Sequence, residues 1–131
     1  MFARFLILNH EAAHRLLFTN RTVNDWVGKW LLAYPAFTPI EAYRRGHMAH
    51  HREEFGPDEP DIAFYRGYPT TRASLRRKLT RDAVGVSGYK NLVPLFRALT
   101  KASTRKVAAS ILGVQVLLIV ASVVAGVWWV Y

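Results

Sequence analysis

Apolar and polar positions alternate with a helical period through the first half of the chain and end in one unbroken apolar run. Phe2 to Phe18 reads as a helix whose apolar residues flank a polar cluster at Asn9, His10, Glu11, His14 and Arg15. It has the pattern of the last turns of a longer apolar helix. Thr19-Asn20-Arg21 reads as a turn, and Thr22 to Asp25 has capping-box spacing. A short amphipathic segment, Trp26 to Ala33, ends near Pro35. The strongest start signal comes next. Thr38 is placed to cap, Pro39 to take the first helical position, and Glu41 lies three after the cap. That predicts a helix from Pro39 to about Glu54, stopped by Gly56-Pro57.

The loop from Gly56 to Asp61 is acidic and stiffened by two prolines. Residues 71–82 and 89–102 predict two short basic interfacial helices, separated by Gly85 and Gly88. From Val107 to Tyr131 there is no charge, and the only polar side chains besides the final Tyr131 are those of Ser110, Gln115 and Ser122. These 25 residues would reach about 37 Å as a helix, against about 30 Å of bilayer hydrocarbon. Trp128, Trp129 and Tyr131 gather at the far end, where interfacial aromatics belong, and Arg105 and Lys106 mark the near end. The fold class predicted is all-α and membrane-associated, with one full transmembrane helix. Residues 1–65, 66–106 and 107–131 form three parts of one incomplete domain: a histidine-bearing region, a basic region and the span.

Composition changes this picture in two places. The net charge of +9 suggests nucleic acid as a partner, but the charge is in the wrong place. Eleven Lys or Arg residues against Asp82 alone lie between Arg66 and Lys106 and lead straight into the apolar run. That is the mark of a cytoplasmic membrane flank, suited to anionic headgroups, and no nucleic-acid motif accompanies it. The absence of cysteine excludes disulfides, Cys-ligated zinc and iron–sulfur clusters. Met1 to Leu8 is too short an apolar run, with Arg4 inside it, for a secretory signal.

The candidate chemistry lies in the histidines. All five fall in two clusters, His10-Glu11-Ala12-Ala13-His14 and His47-Met48-Ala49-His50-His51. On a helix, His10 and His14 lie about 40° apart, and His47, His50 and His51 cover an arc of about 100°. Packed imidazoles without a metal would repel on protonation, whereas neutral imidazole is the commonest side-chain metal ligand. His10-Glu11-x-x-His14 also reads as the zinc-protease signature with Glu11 as base, but one zinc needs three protein ligands and leaves two histidines idle. A nitrogen-rich, thiolate-free set with open positions suits iron and oxygen chemistry better.

The boxes His-x-x-x-His at 10–14 and His-x-x-His-His at 47–51, followed by Pro57-Asp58-Glu59-Pro60-Asp61, a basic stretch and a span, resemble those of membrane-bound fatty acid desaturases. The resemblance implies a helical membrane bundle with a cytosolic cap holding two irons through three histidine boxes. It also implies use of O₂, and of electrons from a ferredoxin or cytochrome b5, to form a C=C bond in a lipid acyl chain. By match, His10, His14, His47, His50 and His51 are iron ligands, and Glu11, Glu54, Asp58 and Asp61 are candidate acceptors for imidazole N–H groups, Glu54 best placed on helical spacing. Asp58, Glu59 and Asp61 are also acids that could fill metal positions. No third His-x-x-His-His box follows His51, so the expectation is a partial chain, inactive alone. A lipid or carotenoid hydroxylase of the same box class, or a non-catalytic membrane protein, is the alternative.

Overall fold

The computed structural model describes residues 2–65 and 67–128. Every regular element among them is helical: α1 (Phe2–His14), α2 (Arg21–Val27) running into a π-helical segment (Gly28–Ala33), α3 (Ile40–Glu53), a single turn α4 (Ile62–Tyr65), α5 (Arg72–Ala83), α6 (Val86–Leu99) and α7 (Arg105–Val124).

Helix α1 stops at His14, four residues before the periodicity runs out at Phe18. Arg15 turns into the left-handed region at φ 61°. Its N–H donates to Ala12 O at 3.1 Å and the Leu16 N–H to Glu11 O at 3.0 Å, a Schellman closure without its usual glycine. The cap of α2 is Asn20 rather than Thr22: Asn20 Oδ1 accepts from the N–H groups of Thr22 and Val23. Thr38 does not cap α3. Its hydroxyl donates back to Ala36 O, Pro39 takes the cap position, and the helix begins at Ile40. Helix α6 starts earlier than its glycines suggest, holding both Gly88 and Pro94 within Val86–Leu99.

The core forms where α1, the π segment, the start of α3 and α7 meet, around Ala12, Leu32, Ala33, Tyr34, Ile40 and Ile111. Gly28 allows the closest approach: a Cβ there would lie 2.7 Å from Ala12 Cβ. The π segment places the Tyr34 N–H on Lys29 O at 3.0 Å, and Gln115, buried in α7, donates to Tyr34 O at 2.7 Å. That bond ties the span to the turn leading into α3.

Helix α7 is long and apolar enough to cross a membrane, and it is the one such helix among the described residues. Its 20 residues reach about 30 Å, the thickness of the hydrocarbon. Ala108, Ile111 and Gln115 are buried on one face, while Val116, Leu117, Val120 and Val124 stand exposed. The helix ends at Val124, before Gly126 at φ 69°, and does not run on toward Tyr131. Trp128 lies beyond that end; Trp129 and Tyr131 lie outside the described residues.

Candidate metal centre

Two helices from the N-terminal half carry the histidines, and a clamp on the end of α1 sets how they face. Arg44, from α3, donates to Ala13 O at 2.9 Å, to Ala12 O at 3.0 Å and to Asp25 Oδ1 at 2.7 Å. Asn24, fully buried, donates to Ala12 O at 2.9 Å and accepts from the Leu17 N–H at 3.1 Å. The last carbonyls of α1, which have no partner inside the helix, are thus held by a guanidinium and an amide. Arg15 closes the network on Asp25 at 3.0 Å. Burial alone would raise the Asp25 carboxyl; the Arg15 and Arg44 guanidiniums outweigh it and hold it below the usual carboxylate range.

This clamp brings the two sequence clusters together. His14 Nε2 lies 2.9 Å from His47 Nε2, and His51 Nε2 lies 3.1 Å from the same atom. His10 joins them, its ring centroid 4.6 Å from those of His14 and His47. Tyr43 stacks on the His47 ring at 5.4 Å, nearly parallel. A neutral imidazole Nε2 offers one proton or one lone pair, so His47 Nε2 cannot serve two neighbouring nitrogens well by hydrogen bonding. A shared cation would resolve the convergence. Donors about 2.1 Å from one ion stand about 3 Å apart in adjacent octahedral positions and about 3.4 Å apart in a tetrahedron. Separations of 2.9 and 3.1 Å are short enough for these nitrogens to share one ion. Burial and the neighbouring imidazoles push His14 and His47 below the usual imidazole range, which keeps their lone pairs free near neutrality.

The fifth histidine is held differently. His50 Nδ1 lies 2.8 Å from Glu59 Oε1 and 3.8 Å from Asp61 Oδ2. Glu59 is buried, and its carboxylate also accepts the backbone N–H groups of Phe55 at 3.2 Å and Asp61 at 3.0 Å. The bond to Glu59 raises His50 above the usual imidazole range. For Glu59, burial raises the carboxyl, but His50 and the two backbone donors outweigh it and bring it down. Such a carboxylate fixes the imidazole tautomer and leaves Nε2 as the donor atom for a metal.

The structure therefore gathers His10, His14, His47 and His51 into one group able to hold a metal, and sets His50 apart, its Nδ1 against Glu59 and Asp61. Of the acids expected to orient imidazoles, Glu11 bonds His10 Nδ1 at 3.0 Å and Asp61 borders His50. Glu54 is the C-cap of α3 and reaches His50 only as a more distant charge, and Asp58 is exposed. Glu59 takes the position that helical spacing assigned to Glu54. Asn9 is buried with Oδ1 unpartnered and makes no bond to a histidine. An apolar cavity of about 420 Å³ lies among Pro39, Leu95, Val107, Ala108 and Ile111, but no histidine lines it.

Two helices presenting clustered imidazoles, in a chain with one helix long and apolar enough to span a membrane, have the form of a histidine-box protein. The chain belongs to the fatty acid desaturase family, whose model matches residues 1–131. It is 40% identical over 48 residues to an sn-1 oleoyl-lipid 12-desaturase of Arthrospira platensis, a stretch covering 37% of this chain and 13% of that protein. It is 41% identical over 58 residues to a dihydrorhizobitoxine desaturase of Bradyrhizobium elkanii, covering 43% of this chain and 16% of the relative. The chain thus spans a small part of the length of either relative. No solved structure matches it. Membership makes it part of an oxidoreductase family that is membrane-bound and generally di-iron.

Proposed function

We propose that these 131 residues supply part of the di-iron site of an O₂-dependent desaturase that introduces a C=C bond into a lipid acyl chain. The observation that carries this reading is the convergence of His14 and His51 on His47 Nε2 at 2.9 and 3.1 Å. His10, His14, His47 and His51 would hold one iron, and His50, with Glu59 and Asp61 beside it, would begin the second. Bound iron supplies the activation of O₂ that removes two hydrogens from the acyl chain. The residues of this chain do the rest of the local work. Glu59 and Glu11 orient imidazoles, Arg44 holds α3 against α1, and the lowered His14 and His47 stay unprotonated and available as donors.

Two irons with four or more donors each call for roughly eight ligands, more than the five histidines here. The remaining donors come from a further histidine box outside these residues. The histidines and the basic stretch face the cytoplasm, on the side of the Lys and Arg excess, where a ferredoxin or cytochrome b5 delivers electrons. Of the two relatives' substrates, the oleoyl lipid suits a chain with an apolar span.

Expression in a desaturase-deficient host with an electron-donor system tests this. The 131-residue chain alone gives no new double bonds, and joining it to a segment bearing a further histidine box gives unsaturated product that His50→Ala abolishes. Product from the chain alone contradicts the partial-site reading. No product from the joined protein contradicts the desaturase reading.

A further inference from the structure

The helix α5 has no residue buried anywhere along it. A helix of twelve residues without tertiary burial is marginal in water, so this one needs a surface. Its own side chains describe which. Leu75 and Leu79 stand 46% and 59% exposed, and with Ala83 they fall within about 80° of one helix face. Arg76 and Lys78 flank that stripe, each about 60° from the nearer leucine, Arg72 lies within the arc and Asp82 at its edge, while Ser74, Arg77 and Arg81 lie on the far side. Apolar residues between flanking cations whose stems lie along the apolar surface make the pattern of a helix resting in a headgroup layer.

Position favours the same partner. Helix α5 turns at Gly85, φ 75°, into α6, and α6 packs on the span α7. Helix α6 is itself exposed along Tyr89 and Phe96, at 70% and 54%. Residues 66–106 carry eleven cations and one acid, Asp82, whose carboxylate accepts the hydroxyl of Ser87 at the turn. We propose that α5 docks on the bilayer beside α7, its Leu75–Leu79–Ala83 stripe entering a surface rich in anionic lipid headgroups. Docking would hold the basic arm flat against the membrane and keep it clear of the histidine helices.

The absence of cysteine makes the test direct. The full chain is placed in lipid nanodiscs of phosphatidylcholine, with or without phosphatidylglycerol, carrying a nitroxide at Ala83→Cys or at Ser74→Cys, half a turn around the helix. Expected in the anionic discs is an Ala83 label accessible to oxygen and shielded from a water-soluble nickel complex, with the Ser74 label open to nickel. Shielding is lost in phosphatidylcholine alone, or when salt rises from 0.1 to 1 M and the Debye length falls from about 10 to 3 Å. Arg76→Gln and Lys78→Gln each lower the docked-to-undocked ratio about fivefold, the factor given by about 1 kcal/mol per surface cation. An Ala83 label open to nickel in anionic discs overturns the proposal. So does equal shielding in both lipids, which would mean a protein cover. Shielding that needs an added acidic electron-transfer protein assigns the face to that partner instead.

Discussion

The α1–α3 hub and the α5–α6 arm are both helical and both rich in arginine, yet they use it in opposite ways. In the hub, Arg44 is spent on carbonyls and on Asp25, and Asn24 is fully buried. In the arm, no side chain of α5 or α6 is buried, and the cations are exposed except Lys78, which lies over the Tyr68 ring. The difference teaches where this chain keeps its rigidity. Histidines on two separate helices converge to about 3 Å only if those helices cannot slide, and charge-assisted bonds to buried carbonyls prevent sliding better than an apolar contact between alanines would. The arm needs no such register, because a surface accepts it at many depths and rotations.

The sharpest way to break the contrast is to exchange the same residue type in both regions. Arg44→Met should destabilise the chain by about 2–3 kcal/mol, since charged hydrogen bonds to carbonyls left buried are costly to lose, and metal binding should weaken with it. Arg76→Met should move stability by no more than about 0.5 kcal/mol. Thermal unfolding in detergent, followed by circular dichroism, measures both. Equal effects would remove the distinction between hub and arm. Glu59→Gln separates holding a ligand from holding the fold: metal affinity should fall about 10- to 100-fold with the helical spectrum retained. Gly28→Ala tests the close approach of α1 and the π segment, where the added carbon meets Ala12 Cβ. It should cost about 1–2 kcal/mol, at the lower end of overpacking penalties, and the same change at Gly88, which has open space, should not.

The smallest expected effect is on pH. His14 and His47 have folded values below 6.5, so as pH falls through about 6.5 the unfolded chain takes up protons that the folded cluster resists, and stability declines. His50 acts in the opposite sense. Its folded value is raised, so its contribution is complete below 6.5 and fades as pH climbs through that raised value. Melting curves of the metal-free protein between pH 5 and 8 should therefore lose their decline above pH 6.5 in Glu59→Gln and flatten on the acid side in a His14→Gln, His47→Gln variant. An unchanged acid limb in the second variant would show that the imidazole cluster does not set it.

The sequence made the histidines legible because none lies outside the two clusters, and their helical spacing placed each cluster on one face. The span and the fold class were legible for a similar reason: a charge-free run dominates any local signal. What stayed hidden depends on chain reversals. Glu59 meets His50 only because Glu54 leaves the helix at ψ 119° and the loop folds back, so spacing pointed to Glu54 instead. Arg44 could not be singled out from Arg45, since nothing local marks which guanidinium reaches the end of α1. Thr22 and Thr38 both had cap spacing, but Asn20 and Pro39 hold those positions. The stop at Arg15 was invisible because a non-glycine residue takes the left-handed turn.

His47 Nε2 is the atom on which the whole account turns, so its loss is the most direct test. The chain, purified without oxygen and supplied with ferrous iron, should bind iron in a nitrogen-rich environment visible by X-ray absorption, and His47→Ala should lower the affinity at least tenfold while the helical content is kept. Iron binding that His47→Ala leaves unchanged would contradict the account, as would protein from cells grown with both metals that carries zinc and no iron.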